Sequence, residues 1–188
     1  MVYMRRPQLI VLFFLLVLVP NGCKKARLRT QYKELMANTI TLPENITCVY
    51  KGEVFPMPDD LRKKPKLLVY ADSTECTTCR ISNIGRYHQF FQLSEEKELF
   101  EVVLLFPNIK LSGVSIERYL LDSDIWYPVF IDVENKYLEQ NPYADADQRL
   151  HALFIDEVGT PLYVGDPSSS REMLQVFLET VGKLTNTQ

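Results

Sequence analysis

Short apolar runs alternate along the chain with stretches whose apolar residues recur every three to four positions. Residues 66–71 and 100–106 are dominated by Leu, Val, Phe and Tyr. Runs of this kind, bounded by turn residues, predict strands buried on both faces. Residues 40–50, 127–132 and 150–156 predict three more strands, the second entered through Pro128. Glu157 to Thr160 reads as a turn, and residues 161–164 pair back as a hairpin. Between the strands, residues 76–93 carry Cys76, Cys79, Ile81, Ile84, Tyr87, His88 and Phe91 at helical spacing. Residues 115–121 predict a short helix. Ser169-Ser170-Arg171-Glu172 offers a capping box for a closing helix with Met173, Val176, Phe177, Val181 and Leu184 on one side. The prolines of residues 55–65 predict a loop, or one helical turn begun by Asp59-Asp60, and residues 134–147 read as polar and broken at Asn141-Pro142. This order of elements predicts an α/β fold: a central mixed sheet with helices on both faces.

The first residues change the picture of the domain. Arg5 and Arg6 precede an apolar run at residues 9–19, which is too short for a span of ~20 residues and suits a signal-peptide core. Pro20-Asn21-Gly22-Cys23 follows. It resembles a bacterial lipoprotein processing site, with Pro20 where Leu is usual. The resemblance implies a leader at 1–22 and lipid attachment at Cys23; the polar, basic residues 23–39 read as a tether or a short helix, before one domain at 40–188. Plain secretion with an unmodified Cys23 is the alternative. A formal charge of −3 argues against nucleic acid as a partner. Lys24, Lys25, Arg27, Arg29 and Lys33 cluster after the anchor, as a solvated tether or as a contact with anionic headgroups.

The chemistry gathers at Cys76-Thr77-Thr78-Cys79, between a buried strand and a helix. Two cysteines two residues apart in that position predict a thiol–disulfide redox pair, and a helix start favours thiolate. Zinc would need about four ligands, and no second Cys/His pair has suitable spacing. A peroxidase would need a proline and threonine arrangement before the cysteine, and it is not found. A structural disulfide that never cycles stays open. Cys48, in a strand-like run, reads as a buried free thiol that packs as a small apolar residue.

Leu67 to Cys79, Tyr127 to Asp132 and Leu153 to Gly165 together resemble the thioredoxin fold. The membrane-anchored TlpA-like and peroxiredoxin-like proteins, of the type found in Bacteroidetes lipoproteins, are the nearest in pattern. The resemblance implies a periplasm-facing oxidoreductase in which Cys76 attacks and Cys79 resolves. It implies no cofactor beyond the Cys76–Cys79 disulfide, no metal, and envelope protein thiols and disulfides as partners. Lys24, not aspartate, follows Cys23, which favours the outer membrane. Three positions depart from the pattern. Glu75 replaces a usual Trp, Tyr70 stands where many thioredoxins carry a buried acid, and Leu150 falls where a cis-proline is usual. Arg149, Leu150 and His151 are therefore the candidate substrate-loop residues, with Arg149 or His151 able to favour the thiolate. His88 lies twelve residues beyond Cys76, ~18 Å along one helix, and reads as a packed or surface histidine.

Overall fold

A computed structural model describes residues 24–72 and 76–185. The expected leader, Cys23 and Glu75 lie outside the described residues. The chain opens with a helix, α1, at residues 24–37. A hairpin follows, β1 (Ile46–Tyr50) and β2 (Glu53–Pro56), and then a helical turn, α2 (Asp59–Arg62). The next unit is β3 (Lys66–Tyr70), α3 (Thr77–Ser82), a 3-10 turn (Ile84–Tyr87), α4 (His88–Lys97) and β4 (Glu101–Pro107). A small hairpin, β5 (Lys110–Leu111) and β6 (Val114–Ser115), leads into α5 (Ile116–Leu121) and β7 (Val129–Asp132). Then come α6 (Tyr137–Gln140), 3-10 turns at Pro142–Ala144 and Gln148–Leu150, β8 (Ala152–Ile155), β9 (Pro161–Val164) and α7 (Arg171–Thr185).

The main sheet has the order β2-β1-β7-β4-β3-β8-β9. β3, β4 and β7 run parallel, and β1, β8 and β9 pair antiparallel to their neighbours. Strand alternation divides the core in two. Leu67 and Val69 face one side, with Phe90, Phe91, Phe177 and Val181 from α4 and α7. Leu68 and Tyr70 face the other, with Leu35 of α1, Tyr137 and Leu150. On the first side the Phe177 ring meets Phe90, Phe100, Phe154 and Tyr163 edge-on at 5.3–5.8 Å, a favoured aromatic geometry.

Of the two readings open for the basic segment, tether or short helix, the structure shows the helix, packed as part of the fold. Leu35 is fully buried, and Leu28 and Met36 pack against the second core. A strand apolar on both sides must be covered on both, and α1 supplies part of that cover. The expected strand at 40–50 forms only from Ile46. Residues before it are tied elsewhere: the Ile40 amide donates to the Gly159 carbonyl (2.8 Å) and the Thr41 amide to Asn141 Oδ1 (2.7 Å). Gly159 sits at φ +90°, and a Cβ there would come within 2.1 Å of the Ile40 carbonyl oxygen. β2, taken from the sequence as loop, pairs with β1 through a two-residue turn, Lys51-Gly52, both at positive φ. The expected helix at 76–93 breaks at Asn83 and resumes as α4.

Candidate functional site

β3 is central and buried along its whole length. At its C-terminal end Ala71 still donates to the Leu105 carbonyl (2.9 Å), so the chain leaves the sheet at a fixed point. Cys76 then caps α3, its extended backbone (φ −68°, ψ 90°) marking the entry into the helix. Cys76 and Cys79 form a disulfide, with Cα atoms 5.2 Å apart. One helical turn brings positions i and i+3 to one face, so closure of this ring is a local property of the segment.

Both cysteines are exposed. Cys76 Sγ accepts from the Cys79 amide at 3.3 Å and lies 3.4 Å from Thr78 Oγ1. The two threonines therefore differ. Thr78 is outside and touches sulfur; Thr77 is buried, and its hydroxyl has no hydrogen-bond partner among the described residues.

The sulfurs open onto a hollow of about 270 Å³ lined by Arg80, Asn83, Arg86, Tyr87 and Gln148. Asn83 donates to the Cys79 carbonyl (2.8 Å) and ties off the first helical turn. Arg86 pairs with Asp166 (3.0 Å) and donates to Ser168 Oγ (2.6 Å). The Tyr87 hydroxyl donates to the same Asp166 carboxylate at 3.0 Å. Burial, with Asp166 beside it, pushes the Tyr87 phenol well above its ordinary range, so it remains a donor. Arg80, Arg86 and Gln148 also line an adjoining cleft of about 640 Å³, floored by Leu150, Val164 and Met173 and bounded by Tyr32 of α1.

Gln148 arrives from the far end of the chain because β8 runs antiparallel to β3. That pairing sets Tyr70 beside His151, whose carbonyl accepts from the Tyr70 amide at 2.9 Å. The segment before β8 is thus held at the end of the sheet that carries the cysteines. The segment Arg149-Leu150-His151, expected from the sequence as the substrate loop, lies at that end of the sheet, but none of its three residues lines the sulfur hollow. Arg149 makes two hydrogen bonds to the Asp147 carboxylate (2.7 and 2.8 Å) and lines the adjoining cleft. Its guanidinium holds the Asp147 carboxyl down at about 2. Leu150 is buried in the second core and also reaches that cleft. His151 is buried, with Nε2 3.0 Å from the Ala146 carbonyl oxygen and its ring 6.0 Å from Tyr70.

The arginines at the sulfurs are instead Arg80 and Arg86. Their sequence signal was available: Arg80 follows Cys79 directly and stands one turn after Cys76. Tyr70, at the position of the usual acid, packs against Tyr137 with ring centroids 4.5 Å apart and planes tilted by 35°. His88 is on the surface, its Nδ1 2.8 Å from the Tyr127 hydroxyl. Cys48 is a buried free thiol, and burial pushes it up to about 12.

The sheet order and the cysteine pair following its central strand define a thioredoxin-like fold. The chain is similar to the crystal structure of a proposed thiol:disulfide interchange protein, DsbE, from Chlorobium tepidum. The TM-score is 0.50 at 18% identity, over 77% of this chain and 99% of that one. At this identity the likeness is one of fold. No protein-family model and no curated protein sequence matches the chain.

Proposed function

We propose that this protein is a thiol–disulfide oxidoreductase of the cell envelope, with Cys76 as the attacking and Cys79 as the resolving sulfur. The observation that carries this reading is the exposure of both sulfurs at a helix start, on a hollow large enough for another protein's thiol or disulfide. A disulfide that only braced the fold would gain from shielding. The likeness to a proposed thiol:disulfide interchange protein points the same way.

In the reducing direction the Cys76 thiolate attacks one sulfur of a substrate disulfide. That S–S bond breaks, the leaving thiolate takes a proton, and a mixed disulfide remains at Cys76. Cys79, deprotonated, then attacks Cys76 Sγ and releases the second substrate thiol. Two electrons have passed from the cysteine pair to the substrate, and the Cys76–Cys79 bond has formed. The reverse sequence oxidises a dithiol. Arg80 and Arg86 favour the thiolate by charge. No further cofactor enters this chemistry. Lipid attachment at Cys23 would hold the domain on the periplasmic side, at the outer membrane, with envelope proteins as partners.

A second reading, a binding module with a disulfide that never cycles, is favoured by one observation. Leu150 falls at the sequence position where a cis-proline is expected. The potential of the pair separates the two. A value between about −270 and −180 mV, with insulin reduction lost in Cys76→Ser, supports the oxidoreductase; a value below about −300 mV refutes it. Cys79→Ala should trap envelope proteins as mixed disulfides at Cys76.

A further inference from the structure

Helix α1 has two sides of different character. Leu28 and Leu35, seven residues apart, turn to the domain. Lys25, Arg29 and Lys33 recur every four residues and form a stripe from the flank of the helix to its far side. All three are exposed, and none forms an ion pair among the described residues. Glu34, the only acid on α1, lies about 100° round the helix from Lys33. Lys25 is two residues beyond Cys23, and the apolar run 9–19 lies just ahead. The stripe is therefore tied, with little intervening chain, to the proposed lipid attachment point at Cys23. It is also rigidly joined to the domain through Leu35.

We propose that Lys25, Arg29 and Lys33 form a docking stripe for anionic phospholipid headgroups, laying α1 along the membrane surface. Charge complementarity and position next to the lipid attachment proposed at Cys23, on which this inference rests, select a bilayer as the occupant. Each basic side chain near an anionic surface contributes about fivefold in affinity, and the three together roughly a hundredfold. The consequence concerns the cleft beside the disulfide. Tyr32 bounds that cleft and lies ~12 Å along the helix from Lys24. Docking the stripe sets the cleft at a fixed height and orientation above the lipid.

The test uses the full chain with vesicles of phosphatidylglycerol or of phosphatidylcholine, and reads amine acylation at single lysines by mass spectrometry. Lys51, Lys97 and Lys110, exposed elsewhere, serve as internal references. On phosphatidylglycerol, Lys25 and Lys33 should acylate several-fold more slowly than on phosphatidylcholine, with the references unchanged. About 0.5 M salt, which shortens the screening length, should restore the rates, and so should Arg29→Glu. Equal rates on the two lipids, or equal slowing of the reference lysines, would overturn the proposal. Disulfide exchange by the same protein without vesicles is measured alongside. It should be unchanged in Arg29→Glu, so loss of docking and loss of redox activity are read separately.

Discussion

Lys66 opens β3, the strand that delivers the cysteine pair, and is only 2% exposed. Its Nζ donates to the carbonyls of Arg62 (3.0 Å) and Lys64 (2.5 Å). Burial lowers its pKa from 10.5 to about 8, against the opposing pull of Asp156 and Glu157. The unfolded chain keeps this proton up to about pH 10.5, whereas the folded protein releases it near pH 8. Between these values the unfolded state binds more protons, so stability rises with pH. At 1.36 kcal/mol per pKa unit the whole window is worth about 3 kcal/mol. Lys66→Met removes that slope. It also strips two carbonyls of a donor, at a cost of about 1–3 kcal/mol. The variant should therefore match or slightly exceed the parent in stability at pH 7. By pH 10 it should be the less stable of the two. Urea unfolding at pH 7, 8.5 and 10 gives the difference curve, in which all other titrating groups cancel. Parallel stability curves, with a constant offset across the window, would refute the reasoning.

Three further outcomes are expected. Cys48, buried and raised to about 12, should resist thiol alkylation at pH 8 in the reduced native protein while Cys76 and Cys79 react, and should label once urea unfolds the chain; labelling of the native protein at a comparable rate would contradict its placement. Thr77→Val replaces a buried hydroxyl with no partner among the described residues by a methyl of similar size and should stabilise by about 1 kcal/mol, read as a higher urea midpoint; a loss of stability would mean that the hydroxyl has a partner. Arg149→Ala should cost little stability, because the Arg149–Asp147 pair is well exposed and screened by water. Its effect should be full above about pH 4 and vanish as pH falls toward 2, where the lowered Asp147 carboxyl takes its proton; a measurable shift in the Cys76 thiolate titration of this variant would show that Arg149 acts on the sulfur after all.

The elements legible in the sequence were those whose partners lie on both sides. β3 and β4 show as continuous apolar runs because they are central, and α7 shows as a stripe because one face meets Phe100, Phe154 and Tyr163. β2 escaped because an edge strand is mostly exposed and carries no alternation, although Lys51-Gly52 was a hairpin signal. α1 was obscured by its charge: five basic residues left tether and short helix both open, although Leu28, Leu35 and Met36 stood at helical spacing. The break at Asn83 left the apolar stripe of residues 76–93 intact, so periodicity could not report it. At the site, counting back from β8 reached Arg149, Leu150 and His151 and stopped one residue short of Gln148, which lines the sulfur hollow. A 3-10 turn sends adjacent side chains in different directions, so being off by one exchanges a residue at the sulfurs for one facing Asp147 or the core.

The sequence by itself determined what depends on neighbours along the chain. Two cysteines one helical turn apart, after a buried strand, specify a ring that can close, and alternation specifies which strand residues face which core. Only the tertiary structure decided what meets that ring. Gln148 reaches the sulfurs because β8 pairs antiparallel with β3, and Asp166 engages Arg86 and Tyr87 because β9 and α7 return to the same end of the sheet. Burial works the same way: Cys48 and Lys66 acquire their altered acidity from residues far off in sequence, packed around them. Side-chain environment is a property of the assembled core, so the cysteine pair was visible at once and its surroundings were not.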